Sequence, residues 1–285
     1  MIYFCADDYG LIPSASARIR ECVEFGCLNK ISVLPNFEAF SIDELDKFDD
    51  LSLSLHLNLV EGKGMADKEK IKLLLRENGT FRFSFCGLLM SWFFNRKVFE
   101  EQVYEEIKAQ VEFWVNNTEG ELLIDSHQHT HMIPGVFKAL VRVIKEKNLK
   151  VRYLRIPAEP VLPYLCTPSL YLTYNPVNIV KQWLLKALWL LDKKYYSKSE
   201  MPSALFCGIL FSGKMDKKRV EKVLGKYLKI AKGKNIEVLF HPGYTERGEE
   251  ISGCNESFKK FYYSNGRKVE YDSTFNIIKF TERSV

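Results

Sequence analysis

Residues 2–8 read Ile2-Tyr3-Phe4-Cys5-Ala6-Asp7-Asp8. A short apolar run followed at once by two carboxylates reads as a buried strand with polar chemistry at its end. The same design recurs along the chain. Residues 51–59 (LSLSLHLNL) alternate strictly, with leucine at every odd position and Ser52, Ser54, His56 and Asn58 on the other face. Residues 121–124 (ELLI) lead into Asp125-Ser126-His127-Gln128-His129-Thr130-His131, and residues 236–240 (IEVLF) lead into His241-Pro242-Gly243-Tyr244. Further strands are expected at 31–34, 151–156 and 205–210. Helical patterns lie between them, at 14–25 with Ser14 as N-cap and Gly26 as stop, and at 100–115, 136–147 and 218–231. Strands alternating with helices predict an α/β fold with a parallel sheet. No repeat or Pro/Gly-rich linker divides the 285 residues, so one domain over 1–285 is expected.

Two stretches, 63–99 and 158–204, fit this alternation poorly. The first crowds Phe81, Phe83, Phe85, Trp92, Phe93 and Phe94; the second crowds Tyr164, Tyr171, Tyr174, Trp183 and Trp189. Aromatic-rich insertions of this kind form lids or subsite walls, or simply core. Within the second, residues 178–191 (NIVKQWLLKALWLL) are too few to span a bilayer, and Lys181 and Lys186 interrupt them. The plain reading is a buried or partner-facing helix. The sharper one is contact with a membrane surface or a lipid-linked substrate.

Composition bounds the rest. Apolar residues make up 46% and charged residues 27%, an ordinary soluble balance. A chain this long needs no metal staple to fold, so a metal in it is expected to be catalytic. The net charge of +5 is mild, and no nucleic-acid motif surrounds the basic clusters, so no nucleic-acid partner is expected. The seven cysteines are odd in number and form no C-x-x-C pair. That reads as a reducing, cytoplasmic compartment. The start, Met1-Ile2-Tyr3-Phe4-Cys5, offers no charged region or cleavage site of a signal peptide.

The five histidines, His56, His127, His129, His131 and His241, gather with Asp7 and Asp8 where strands are expected to end. In a (β/α) barrel those ends converge on one face. Alone, an Asp-Asp pair is usually a solvated turn, and His56 could be a core histidine. The His-x-His-x-His spacing is stronger, because alternate residues of an extended segment face the same way. Together they point to a metal site. Imidazole plus carboxylate suits Zn, Fe, Co, Ni or Mn better than Ca.

The motifs also resemble a known family. Ala6-Asp7-Asp8-Tyr9-Gly10 is similar to the N-A-D-D-[FY]-G opening of the YdjC/ChbG-like carbohydrate deacetylases. Ser54-Leu55-His56-Leu57-Asn58-Leu59 resembles their G-x-H-x-x-L strand, residues 125–131 their D-S-H-x-H-x-H, and His241-Pro242-Gly243-Tyr244 their H-P-G-Y. The motifs stand in family order. Cys5 replaces the usual Asn and Ser54 the usual Gly, and neither change removes a ligand.

The resemblance implies a distorted (β/α) barrel and one divalent metal, with magnesium and zinc foremost. Carried over by motif, Asp8, His56 and His127 are the ligands, Asp7 the general base and His241 the general acid. One ring nitrogen of His241 should then be held by a carboxylate or carbonyl. Asp125 shapes the site behind the ligands. His129, His131 and Tyr244 support the ligands or contact substrate, and either histidine could replace His127 as ligand. Arg155-Ile156-Pro157 resembles the R-x-P of the wider polysaccharide deacetylases, whose arginine positions the base; the plain alternative is a surface arginine.

The implied reaction removes an N-acetyl group from an amino sugar in an oligosaccharide or glycoconjugate. Its rivals are a metal-dependent hydrolase of another amide or of a phosphate ester, which often holds two metals, and a non-catalytic carbohydrate-binding protein. The sugar and the oligomeric state, a homo-oligomer included, stay open.

Overall fold

The computed structural model describes residues 1–197, 201–245 and 249–281, without the side chains of 278–281. Residues 198–200 of the second expected insertion lie outside the described residues.

Among the described residues seven strands carry the architecture: β1 Ile2–Tyr9, β2 Lys30–Val33, β3 Ser52–Leu57, β4 Leu122–Ser126, β5 Val151–Leu154, β6 Leu205–Cys207 and β7 Ile236–Phe240. All neighbours pair in parallel, in the order β5-β4-β3-β2-β1-β7-β6. Parallel strands need crossovers, and helices supply them. These are α1 Pro13–Glu24, α2 Phe85–Phe94, α3 Arg96–Asn117, α4 Pro134–Glu146, α5 Leu162–Leu165, α6 Pro176–Tyr196, α7 Lys217–Ala231, α8 Glu256–Tyr262 and α9 Asn265–Thr281. Sandwiched strands are buried on both faces, which is why β2, β4 and β7 are buried throughout. The sheet curls. Leu154 N at the β5 edge donates to Pro202 O, close before β6, at 2.9 Å. The result is a distorted (β/α) barrel of seven strands.

Some expected boundaries move for local reasons. α1 begins at Pro13 and not after Ser14: Ile12 is the extended N-cap, and the fixed φ of proline suits the first helical position. The Ser14 hydroxyl instead bonds Glu249. β5 and β6 stop earlier than expected, at Leu154 and Cys207. β1 runs further, through both aspartates to Tyr9. The stretch 63–99 is irregular up to α2, pinned by bridges Lys63–Thr80 and Leu75–Phe81. The second stretch holds α5, a 3-10 turn at Pro168–Thr173, and α6, which starts at Pro176 under an Asn175 cap. No helix among the described residues is long and apolar enough to cross a membrane.

Candidate active site

In a regular strand Asp7 and Asp8 would face opposite sides of the sheet. β1 avoids this with an irregularity: its register against β2 shifts between Ala6 and Tyr9. Asp8 takes φ 71°, a left-handed conformation that aspartate tolerates better than most residues. Irregularities of this kind re-aim side chains at strand ends. Here both carboxylates reach one cavity of about 310 Å³.

Asp8, His56 and His127 each bring one ligand atom to within 4.8 Å of the others, and all three residues are buried. His56 Nε2 lies 3.6 Å from Asp8 Oδ1, and His127 Nδ1 lies 2.8 Å from the same oxygen. Yet Asp8 Oδ1 and His56 Nε2 have no hydrogen-bond partner. The short His127–Asp8 contact is therefore not aligned as a hydrogen bond. Buried ligand-type atoms this close, not aligned for hydrogen bonds with one another, suit a shared cation. The donor set, two imidazoles and one carboxylate, suits a transition metal or zinc.

The other ring nitrogen of His56 is committed. Nδ1 lies 2.6 Å from Asp125 Oδ1, which leaves Nε2 facing Asp8. Asp125 Oδ2 accepts from Ser32 at 2.7 Å and Ser54 at 2.9 Å. The Ser54 departure from the family glycine thus adds a donor behind the site. A carboxylate fixing the far nitrogen of a ligating histidine is a recurrent metal-site device.

A second group, Cys5, Asp7 and Asp125, is also close-packed. Arg155 fills it. Its Nη2 lies 3.3 Å from Cys5 Sγ, 2.9 Å from Asp7 Oδ1 and 3.2 Å from Asp125 Oδ2. Burial pushes the Cys5 thiol well up, so no thiolate is offered there. Among the described residues the geometry supports one cation position and not two.

Arg155 is fully buried, so the surface-arginine alternative fails. It also meets Glu237 Oε1 at 2.8 Å, and Lys30 bridges Glu237 and Asp125 at 2.9 and 3.1 Å. Arg267, from α9, bonds Asp8 Oδ2 and donates to Gly243 O at 3.0 Å. Four carboxylates, Asp7, Asp8, Asp125 and Glu237, thus face three cations, Lys30, Arg155 and Arg267, with His56 standing between the Arg267–Asp8 pair and the rest. One negative charge is left over. Burial alone would lower the His56 pKa, but the Asp7 charge and the Asp125 bond reverse that and raise it to about 9. Burial likewise pushes Asp7 up, and the Arg155 and His56 charges bring it below the usual range. Burial opposes ionisation of Asp8 too, but Arg267 and His127 hold it well below that range.

The third motif corrects the extended reading. Residues 127–132 form a 3-10 turn, with Gln128 at φ 52° and His129 at φ 58°. The three imidazoles therefore do not face one way. His127 joins the ligand group. His131 turns inward: its Nδ1 is 2.5 Å from Ser126 Oγ and its Nε2 2.9 Å from Arg155 O. With both nitrogens used it cannot ligate, and burial holds its pKa down at about 4. His129 lines the cavity, edge-on to Phe206. Burial, with Arg155 nearby, keeps it well below an ordinary histidine.

His241 lines the same cavity. Its backbone N–H donates to Glu270 Oε2 at 2.6 Å, and its Nδ1 lies 3.4 Å from that oxygen without hydrogen-bond alignment. Tyr244 does not line the cavity. It packs on Tyr271 and under Arg18. Both insertions reach the site, through Phe85 and Cys86 on α2 and Lys181, Leu184 and Leu185 on α6. Of the expected aromatics only Phe85 lines it.

The other aromatic walls, Phe258 and Phe261, come from α8. Asn255, its N-cap, donates to Glu61 Oε2 at 2.6 Å and so ties α8 to the barrel. Glu159 is buried and accepts from the backbone N–H groups of Gly208, Ile209 and Leu210, which fixes the wall after β6. Sequence reasoning missed Lys30, Arg267, Glu270 and Glu159. A signal existed for one pair: Lys30 and Glu237 are charged residues inside otherwise uncharged strands. None existed for Arg267 and Glu270, which lie in a helix remote from every motif.

Comparison with known proteins bears on the family and the fold. A family model described as YdjC-like protein matches residues 1–275. A Xenopus laevis protein named carbohydrate deacetylase is 25% identical over 93% of this chain and 88% of its own length. A protein of the same name from Thermoanaerobacter pseudethanolicus is 29% identical over 55% of this chain and 61% of its own length. Among solved structures, an Enterococcus faecalis V583 protein, provisionally described as a cellobiose-phosphate cleavage protein, superposes with a TM-score of 0.66. It shares 17% identity over 100% of this chain and 95% of its own, a likeness of fold.

Proposed function

The chain belongs to the YdjC-like family, and from that premise we propose that it hydrolyses the N-acetyl group of an amino sugar in an oligosaccharide or glycoconjugate. The names of the relatives support a sugar amide as substrate. The observation that carries the reading is the Arg155-gripped Asp7 beside the Asp8, His56 and His127 group, with His241 on the same cavity.

A divalent ion, zinc or a transition metal by the donor set rather than the magnesium the family resemblance also allowed, held by Asp8, His56 and His127 would supply positive charge that polarises the amide carbonyl and acidifies water. Asp7 accepts the proton of the attacking water. Arg155 keeps that carboxylate ionised at neutral pH and fixes its plane. The low pKa costs proton-transfer driving force, and the same bidentate hold compensates by orientation. His241 gives a proton to the departing amine, which leaves badly as an anion. Asp125 holds His56 Nδ1, so that Nε2 is the nitrogen turned to the ion, and the ring gives up to ion binding the proton that it otherwise keeps at neutral pH. Phe85, Phe258, Phe261 and Leu184 give the cavity apolar walls that exclude water and suit the C–H faces of a sugar ring.

The test is incubation of the metal-loaded chain with N-acetylglucosamine, its oligomers and N-acetylated glycoconjugates. Acetate release matched by new free amine is expected. Acetate from none of them would overturn the reading.

A further inference from the structure

Helix α6 is built inside out. Its buried face carries Asn178, Gln182 and Asp192 beside Leu185 and Leu188. Its exposed face carries Val177, Val180, Trp183, Leu190 and Leu191, each more than half exposed, with Ala187 between them. The spacing of these positions by three or four residues makes one continuous stripe. Helix α2 repeats the inversion. Ser91 is buried, while Met90, Phe93 and Phe94 are exposed, the two phenylalanines at 73% and 70%. Water does not select such faces, and a pair of them on adjoining elements marks an interaction surface. The two helices adjoin: Phe85 and Leu89 of α2 pack in one apolar cluster with Leu184, Leu185, Leu188 and Trp189 of α6. Both also line the site cavity, through Phe85 and Cys86 on α2 and Lys181, Leu184 and Leu185 on α6.

Charge says what covers this surface. In α6 the single acid is Asp192, which is buried, whereas Lys181, Lys193 and Lys194 are exposed and Lys186 is half-buried. Residues 84–98 hold Arg96 and Lys97; Glu100, one turn on, pairs with Arg96 at 3.0 Å, which leaves Lys97 as the exposed cation of this segment. A second copy docked with α6 on α6 would set lysines against lysines, and the one acid of that helix is buried and cannot answer them. An anionic lipid surface answers all of them. Apolar side chains enter the acyl boundary, lysine ammonium groups reach the phosphates, and Trp183 sits at the headgroup level.

We propose that the α2–α6 face docks this chain on an anionic lipid bilayer, with the mouth of the cavity at the membrane surface. The surface is peripheral, since neither helix is long and apolar enough to span.

The test is flotation of the full chain with phosphatidylcholine vesicles and with vesicles that also contain phosphatidylglycerol. Binding at least about tenfold tighter to the anionic vesicles is expected. Brominated acyl chains should quench tryptophan fluorescence in the wild-type chain, which needs no variant to fold. Trp183→Asp with Phe93→Asp should abolish flotation while leaving circular dichroism and metal binding unchanged, because both positions are exposed and outside the cavity. Lys193→Glu with Lys194→Glu should remove the anionic preference. Absence of flotation and quenching overturns the proposal. So does equal binding to both vesicle types. A chain that ignores vesicles but forms a dimer dispersed by Trp183→Asp assigns the face to a second copy instead.

Discussion

Arg155 holds Asp7 by both carboxylate oxygens, at 2.8 and 2.9 Å, and Asp7 Oδ2 lies 3.8 Å from His56 Nε2. The proposed base thus has a fixed plane and a fixed charge. Asp7→Asn keeps the shape and loses the proton acceptor. Turnover on an N-acetyl substrate should fall by about 10²–10⁴-fold, with metal affinity retained. Near-normal turnover would mean that Asp7 is not the base, and loss of metal in this variant would exchange the roles of Asp7 and Asp8.

Replacing the arginine separates grip from charge. Arg155→Lys retains the charge but cannot make the two-point contact. A lower kcat with a nearly unchanged KM is expected. Arg155→Ala leaves Asp7, Asp125 and Glu237 facing each other in the core. It should destabilise the fold by roughly 3–5 kcal/mol, the usual cost of orphaning a buried charge partner. A denaturant melt of both variants measures this, and equal stability would mean that water or a cation fills the gap.

Metal titration should find about one divalent ion per chain. His56→Ala with His127→Ala should abolish that binding. Asp125→Asn should loosen it by about 10–100-fold although Asp125 is not placed among the ligands. Unchanged metal content in the double histidine variant would remove the proposed site.

Asp192 gives a prediction about pH. Its two oxygens are buried without a hydrogen-bond partner, and burial pushes its carboxyl up to about 8. An unfolded aspartate releases its proton near 4. Between these values the folded chain binds more protons than the unfolded one, so stability falls as pH rises. Asp192→Asn cannot ionise and lacks that slope. Thermal melts should therefore show the variant gaining on the wild type from about pH 4 to about pH 8. The gain should be roughly 1–3 kcal/mol. Parallel curves would mean that the carboxylate is hydrated.

The barrel was legible because each core strand announced itself as an apolar run with polar residues at its end, as at Ile2–Asp8 and Ile236–His241. The gathering of Asp8, His56 and His127 was legible for the same reason, since parallel strand ends converge. Local backbone geometry was not. The left-handed residues Asp8, Gln128 and His129 decide which side chains point where, and periodicity assumes regular dihedrals. This is why His131 was expected near the ligands and is instead tied to Ser126 and to the backbone of Arg155. Long-range ion pairs were also hidden. Nothing near Asp8 in sequence points to Arg267, which is brought to it only by the packing of α9.

His241 is the residue whose role is most open to a decisive measurement. It leaves β7 directly, lines the cavity, and rests with one edge on Phe261, ring centroids 5.4 Å apart. Glu270 anchors its backbone and lies 3.4 Å from Nδ1. A small shift of the ring would complete that bond and leave Nε2 as the proton donor. A departing amine needs such a donor, whereas an activated aryl oxide does not. His241→Ala should therefore keep its metal and lose most activity on N-acetyl sugars, by about 10²–10⁴-fold. It should lose much less on an activated aryl acetate. Glu270→Gln should move the two activities in the same directions by smaller amounts, because the amide can still accept the His241 backbone N–H. Equal losses on amide and ester would give His241 a role in binding or folding and leave the amine without its proton donor.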